Sequence, residues 1–124
     1  YNLFMKIASK YPVGVMKKAI GKYRLVQNSL SSKSLPIAGQ EMRLTLDLIF
    51  ESSAILRNKY LDEFQASYDK CHYYDAVAHL VNKDREKARI ELRPIIRARY
   101  EYLILYLLIR LFIPVPIILK VLGR

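Results

Sequence analysis

The longest regular signal in the chain is a stripe at steps of three or four residues: Met42, Leu46, Ile49, Ser53, Leu56, Tyr60, Phe64 and Tyr68. Glu41, Asp47, Glu51, Lys59, Asp62, Glu63 and Lys70 keep mostly off it. A 3.6-residue period gathers such positions on one side of an α-helix, so the spacing predicts a long helix over residues 38–70. Residues 71–81 continue in the same register. Asn82-Lys83-Asp84 then reads as a turn, with Asp84 placed to cap the helix that follows. That helix covers 85–100, and Pro94 inside it should kink or divide it, because proline lacks an N–H and its ring meets the preceding turn.

The N-terminal third is patterned differently. Residues 2–10 read as a short helix broken near Tyr11-Pro12, and residues 13–27 as a second one. On a wheel Val13, Val15, Met16, Ala19, Ile20, Tyr23 and Val26 fill one side of the second helix, and Lys17, Lys18, Lys22 and Arg24 the other. Residues 28–36 are serine-rich and closed by Pro36, the signature of a loop.

From residue 102 the period is lost and the chain becomes apolar on every side: YLILYLLIRLFIPVPIILKVLGR. Tyr102 to Val121 has the roughly 20-residue length that a helix needs to cross a bilayer core. The Leu, Ile, Phe and Val residues between 103 and 119 favour insertion by about 6 kcal/mol in sum, and Arg110 returns about 3 kcal/mol. Pro114 and Pro116 weaken the span further. Tyr100, Tyr102 and Tyr106 gather at its entry as an interfacial belt would, and Arg93, Arg97 and Arg99 precede them at headgroup level. Two other fates are open to such a run: burial as a soluble core helix ending at Pro114, or burial by partner proteins.

The fold class expected from these patterns is all-α, a small helical bundle with a long central helix and a C-terminal, proline-kinked, transmembrane helix. Three segments follow: 1–35 basic and amphipathic, 36–101 the helical core, and 102–124 membrane-associated.

Charge sharpens this picture. The 124 residues carry 21 Lys and Arg against 11 Asp and Glu, a net charge of +10. Residues 1–35 and 102–124 hold bases and no acid, whereas the middle is mixed. Basic ends without acids are drawn to phosphate, on lipid or on nucleic acid. The phosphate contacts expected are Lys17, Lys18, Lys22, Arg89, Arg93, Arg97 and Arg99. Arg85, Arg89, Arg93 and Arg97 form a ladder at steps of four. Such a stripe can track a nucleic-acid backbone. It can also pair locally, Arg89 with Glu86 and Arg97 with Glu101. Arg110 is the charge in the middle of the apolar run, and a charge there must pair, snorkel or face a partner. Arg110, Tyr102, Tyr106, Pro114 and Pro116 are therefore the expected membrane or partner contacts.

Chemistry is sparse. Cys71, Asp75 and His79 lie one turn apart and could be drawn as a metal face, yet zinc needs further ligands in recognised spacing. A helix surface with a local His–carboxylate contact is the plainer expectation. No phosphate-binding loop and no nucleophile or zinc-protease motif stands in the sequence. The reading is a non-catalytic structural or accessory subunit of a larger assembly, anchored to an organellar inner, bacterial inner or viral membrane. Its expected partners are other protein subunits and anionic lipid, with no cofactor and no small-molecule substrate. The alternative is a soluble basic bundle that binds nucleic acid.

Overall fold

The apolar stripe over residues 42–68 is a helical stripe, but the helix that carries it is folded back on itself. The computed structural model describes residues 2–19, 21 and 34–122. Its helices are α1 (Asn2–Ala8), α2 (Leu35–Ser52), α3 (Ala54–Lys59), α4 (Leu61–Val81), α5 (Arg85–Leu92), α6 (Tyr100–Arg110) and α7 (Val115–Val121). A 3₁₀ turn over Arg93–Ile95 follows α5. Among the described residues there is no strand, and the chain is a small all-helical bundle.

The expected long helix over 38–70 is therefore corrected to three. Ser53 is extended, at φ −149° and ψ 103°, and its side chain accepts a hydrogen bond from the Leu56 N–H at 3.2 Å. Serine at an N-cap satisfies a helix-start N–H that otherwise has no partner, so the break and the new start come from one residue. A second departure at Tyr60, φ −124° and ψ 35°, starts α4. The result is a helical hairpin in which α2 lies along α4. Met42, Leu46 and Ile49 from α2 meet Phe64 and Cys71 from α4 in one buried cluster. Both arms of the hairpin present the stripe to the same core, except at Tyr60, which is exposed at the break between α3 and α4.

Gly39 sets the closeness of that packing. A Cβ placed there would stand 2.9 Å from the Cys71 carbonyl oxygen and 2.6 Å from Asp75 Cγ. Beside it, Arg43 Nη2 of α2 pairs with Asp75 Oδ2 of α4 at 3.0 Å. One turn further on, the Tyr68 hydroxyl donates to Asp47 Oδ1 at 2.6 Å. Polar contacts thus fix the register of a pair whose interior is apolar.

The second half of the bundle packs on the other end of α4. Ala76, Val77 and Leu80 form a core with Ala88, Leu92, Ile95, Tyr102, Leu105, Ile109 and Ile118. The turn between α4 and α5 is as expected: Lys83, at φ 61°, closes it with Lys83 N–H to Leu80 O and Asp84 N–H to His79 O, both 2.9 Å. These two bonds are the Schellman pattern that satisfies a helix end. Asp84 then caps α5, accepting from the Lys87 N–H at 3.0 Å. Pro94 ends that helix as expected, and the chain passes through an extended Arg99 before α6 begins.

The transmembrane helix expected in the tail is also corrected. Residues 100–121 form two helices, and among the described residues no helix is long and apolar enough to cross a membrane. Phe112, at φ 57°, terminates α6, with Phe112 N–H to Ile109 O and Ile113 N–H to Leu108 O at 3.2 Å. Pro114 then stands as the N-cap of α7, and Pro116 lies in its first turn. The eleven residues of α6 reach about 16 Å, near half of a hydrocarbon core. Moreover, one side of the tail is already buried within the bundle. The boundary expected between 101 and 102 falls inside α6.

The second N-terminal helix expected over 13–27 is not formed in its described part: residues 12–19 carry no helix. The remainder, with Lys22 and Arg24, lies outside the described residues, as does most of the serine-rich loop.

Candidate functional site

α6 is amphipathic in an unusual sense, apolar on both its sides. Tyr102, Leu105 and Ile109 point into the core, and Tyr106 and Leu108 pack partly against it. The opposite side carries Tyr100, Leu103, Ile104, Leu107 and Leu111, all exposed. Helical spacing lays these five on one face with Arg110 at its flank. The face ends at Phe112, which is 80 % exposed. A bulky residue in the left-handed region is destabilising by about 1–2 kcal/mol. Here that conformation holds an aromatic ring at the tip of the α6–α7 hairpin. Ile117 and Val121 of α7 are exposed as well.

Arg85 fixes the tip from the other side. Its Nη2 donates to the carbonyl oxygen of Ile113 at 2.7 Å, bridging the first residue of α5 to the turn after α6. Its Nη1 is buried with no hydrogen-bond partner among the described residues. This arginine therefore leaves the expected ladder. Arg89, Arg93, Arg97 and Arg99 remain exposed, on α5 and on the turn that leads to α6. Lys17 and Lys18 are exposed on the segment after α1.

The remaining expected contacts divide in two. Arg110, Pro114 and Pro116 are exposed. Tyr102 is not: it is 6 % exposed and stacks on Tyr73 at 5.3 Å with 28° between the rings. At this position the ring is a core element, and Tyr106 is half-buried beside it. Burial pushes the Tyr102 phenol above its usual value, with Arg99 drawing it back and Asp69 raising it further.

Those three residues line a polar cleft of about 180 Å³ with Asp62, Gln65, Ala66 and Ala98. Asp62, Gln65, Ala66 and Asp69 share one face of α4 by spacing, and Gln65 Nε2 donates to Asp69 Oδ1 at 2.9 Å. The sequence stripe hid this face, because it separates α4 into core and surface without showing what returns to cover the surface. A second, apolar groove of about 190 Å³ lies between α1 and the hairpin, lined by Met5, Leu46, Ile49, Leu56, Tyr60 and Phe64 among others.

The candidate metal face does not assemble. Cys71 is fully buried, its thiol directed to the Ser67 carbonyl at 3.3 Å, and burial raises its pKa. Asp75 turns to Arg43, and the histidine–carboxylate contact is instead His72 Nδ1 with Glu91 Oε2, 2.8 Å, between α4 and α5. Among the described residues no group of three or more His, Cys, Asp or Glu could hold a metal ion. In comparisons of sequence and of structure, the chain matches no protein family, no curated protein and no solved structure.

Proposed function

We propose that this chain is a non-catalytic scaffold subunit that lies on an anionic membrane surface through the outer face of α6 and the Phe112 turn. The observation that carries the reading is the contiguous exposed apolar face from Tyr100 to Phe112, flanked by Arg110 and preceded by Arg93, Arg97 and Arg99. A continuous apolar face at a helix surface is buried by lipid or by protein. Bordering arginines favour lipid, since each base near an anionic surface contributes about 1 kcal/mol. The apolar face supplies depth, and Arg110 can keep its guanidinium at the headgroups while its stem lies along Leu107 and Leu111.

Attachment to the surface is preferred over a span. A span requires α6 and α7 to straighten through Pro114 and Pro116 and to withdraw Tyr102, Leu105, Ile109 and Ile118 from the core. A protein partner has its own surface to use. Ile37, Leu44 and Leu48 form an exposed apolar stripe on α2, away from Met42 and Leu46. The second reading, phosphate of a nucleic acid along Arg89, Arg93 and Arg97, rests on the exposure of those same bases.

Sedimentation with vesicles tests the proposal. The chain should pellet with vesicles of phosphatidylglycerol and phosphatidylcholine, and Leu107→Glu with Phe112→Ser should release it. Failure to pellet at low salt, together with retention of RNA that both substitutions leave unchanged, would favour the second reading.

A further inference from the structure

The cleft between α4 and the turn into α6 carries both signs of charge around a buried phenol. Tyr102 is held rigidly, 6 % exposed and stacked on Tyr73. Tyr102 forms part of the wall of the cleft. Asp62 and Asp69 stand two turns apart on α4, and Arg99 lies on the opposite wall. Ala66 and Ala98 supply no bulk, so about 180 Å³ remains open among these groups. Carboxylates accept from an ammonium group, while a guanidinium and a phenol both donate to an anionic oxygen.

We propose that this cleft binds an aminoalkyl phosphate, with the ammonium between Asp62 and Asp69 and the phosphate on Arg99 and the Tyr102 hydroxyl. The ligand has two sources, an ethanolamine phospholipid headgroup or the soluble phosphoester. The soluble form binds whether or not the chain associates with membranes, and only the lipid source rests on the reading above. A choline headgroup offers no N–H to the two carboxylates, so ethanolamine is the preferred amine. A neutral phenol suits the task, because burial keeps Tyr102 protonated as a donor.

The test is titration of the full chain with O-phosphoethanolamine at low salt, followed by amide resonances of residues 62–69 and 98–102. Saturable shifts confined to those residues are expected, with phosphocholine at least about tenfold weaker, the loss of about one charge-assisted hydrogen bond. Tyr102→Phe should weaken binding about tenfold while the melting temperature stays near wild type. Asp62→Asn, on the exposed end of the cleft, should weaken it without touching the core. No saturation up to about 10 mM, or saturation indifferent to both substitutions, overturns the proposal.

Vesicles separate the sources. A gain in binding when phosphatidylethanolamine replaces phosphatidylcholine identifies the lipid. Soluble binding without any vesicle binding keeps the cleft and removes the membrane reading. Vesicle binding with no ethanolamine preference and no soluble binding does the reverse.

Discussion

Replacing Gly39 by Ala should destabilise the protein, against what helix propensity alone predicts. Within a helix interior, glycine is worse than alanine by roughly 0.5–1 kcal/mol, so an isolated α2 would gain from the change. In the bundle the new methyl group would stand 2.6 Å from Asp75 Cγ and 2.9 Å from the Cys71 carbonyl oxygen, both inside van der Waals contact. Asp75 can swing aside only by loosening its 3.0 Å pair with Arg43, and the Cys71 carbonyl belongs to the α4 backbone and cannot swing. Overpacking of this kind costs about 1–3 kcal/mol, which exceeds the propensity gain. The net expectation is a loss of about 1–2 kcal/mol. Urea unfolding followed by circular dichroism measures it. Asp75→Ala should relieve part of the overlap, so the double variant should lose less than the two single losses added together. Stabilisation by Gly39→Ala in the otherwise native chain would refute the close crossing of α2 on α4.

Three further outcomes follow from the same contacts. Phe112→Gly should leave stability unchanged or raise it by up to about 1 kcal/mol, by relieving the left-handed backbone, yet weaken vesicle binding; loss of both would deny the ring a role at the surface. Arg85→Met should cost about 1–3 kcal/mol by abandoning the Ile113 carbonyl, and hydrogen exchange should show the loss concentrated in α6 and α7. Stability should also fall at alkaline pH. The Cys71 thiol and the Tyr68 phenol are raised above their usual values of 9.0 and 10.0, chiefly by burial, with the Asp47 hydrogen bond adding to Tyr68. Both are held protonated in the fold, so the stability they contribute is present below the unfolded values and lost as pH rises beyond them. Urea midpoints should decline above about pH 9, and Tyr68→Phe should flatten the decline above pH 10; an unchanged slope would contradict the assignment.

Some of this was legible in the sequence, because it rests on local chemistry. Asp84 as a cap, the Asn82–Asp84 turn and the division at Pro94 each depend on one residue and its immediate neighbours. The buried identity of Met42, Leu46, Ile49 and Phe64 was legible for the same reason. Their hairpin was not: Ser53 falls on the stripe itself, and a period cannot show whether its two halves continue or face each other. Gly39, an isolated glycine in a helical run, was the available signal of a close crossing.

The division of the tail into two short helices is hidden from the sequence for a related reason. Apolarity on all sides describes a span, but it also describes a helix whose one face is core and whose other face awaits a surface. The turn at Phe112 divides the run into two helices, and nothing in a phenylalanine advertises a left-handed backbone. Arg85 likewise read as one rung of a basic ladder, since its partner Ile113 lies 28 residues away. The cleft at Tyr102 needs α4 to meet the turn into α6, which no local pattern reveals.

The central claim concerns which side of α6 meets a membrane, and an environment-sensitive probe reads that side directly. In a chain with Cys71, the single cysteine, replaced by Ala, bimane is attached in turn to cysteines introduced for Leu107, Phe112 and Glu86. On adding anionic vesicles, the probes at 107 and 112 should shift to the blue and become accessible to lipid-borne quenchers, while the probe at 86 should remain in water. Equal response at all three positions, or none at 107 and 112 while the protein pellets with the vesicles, would contradict the account.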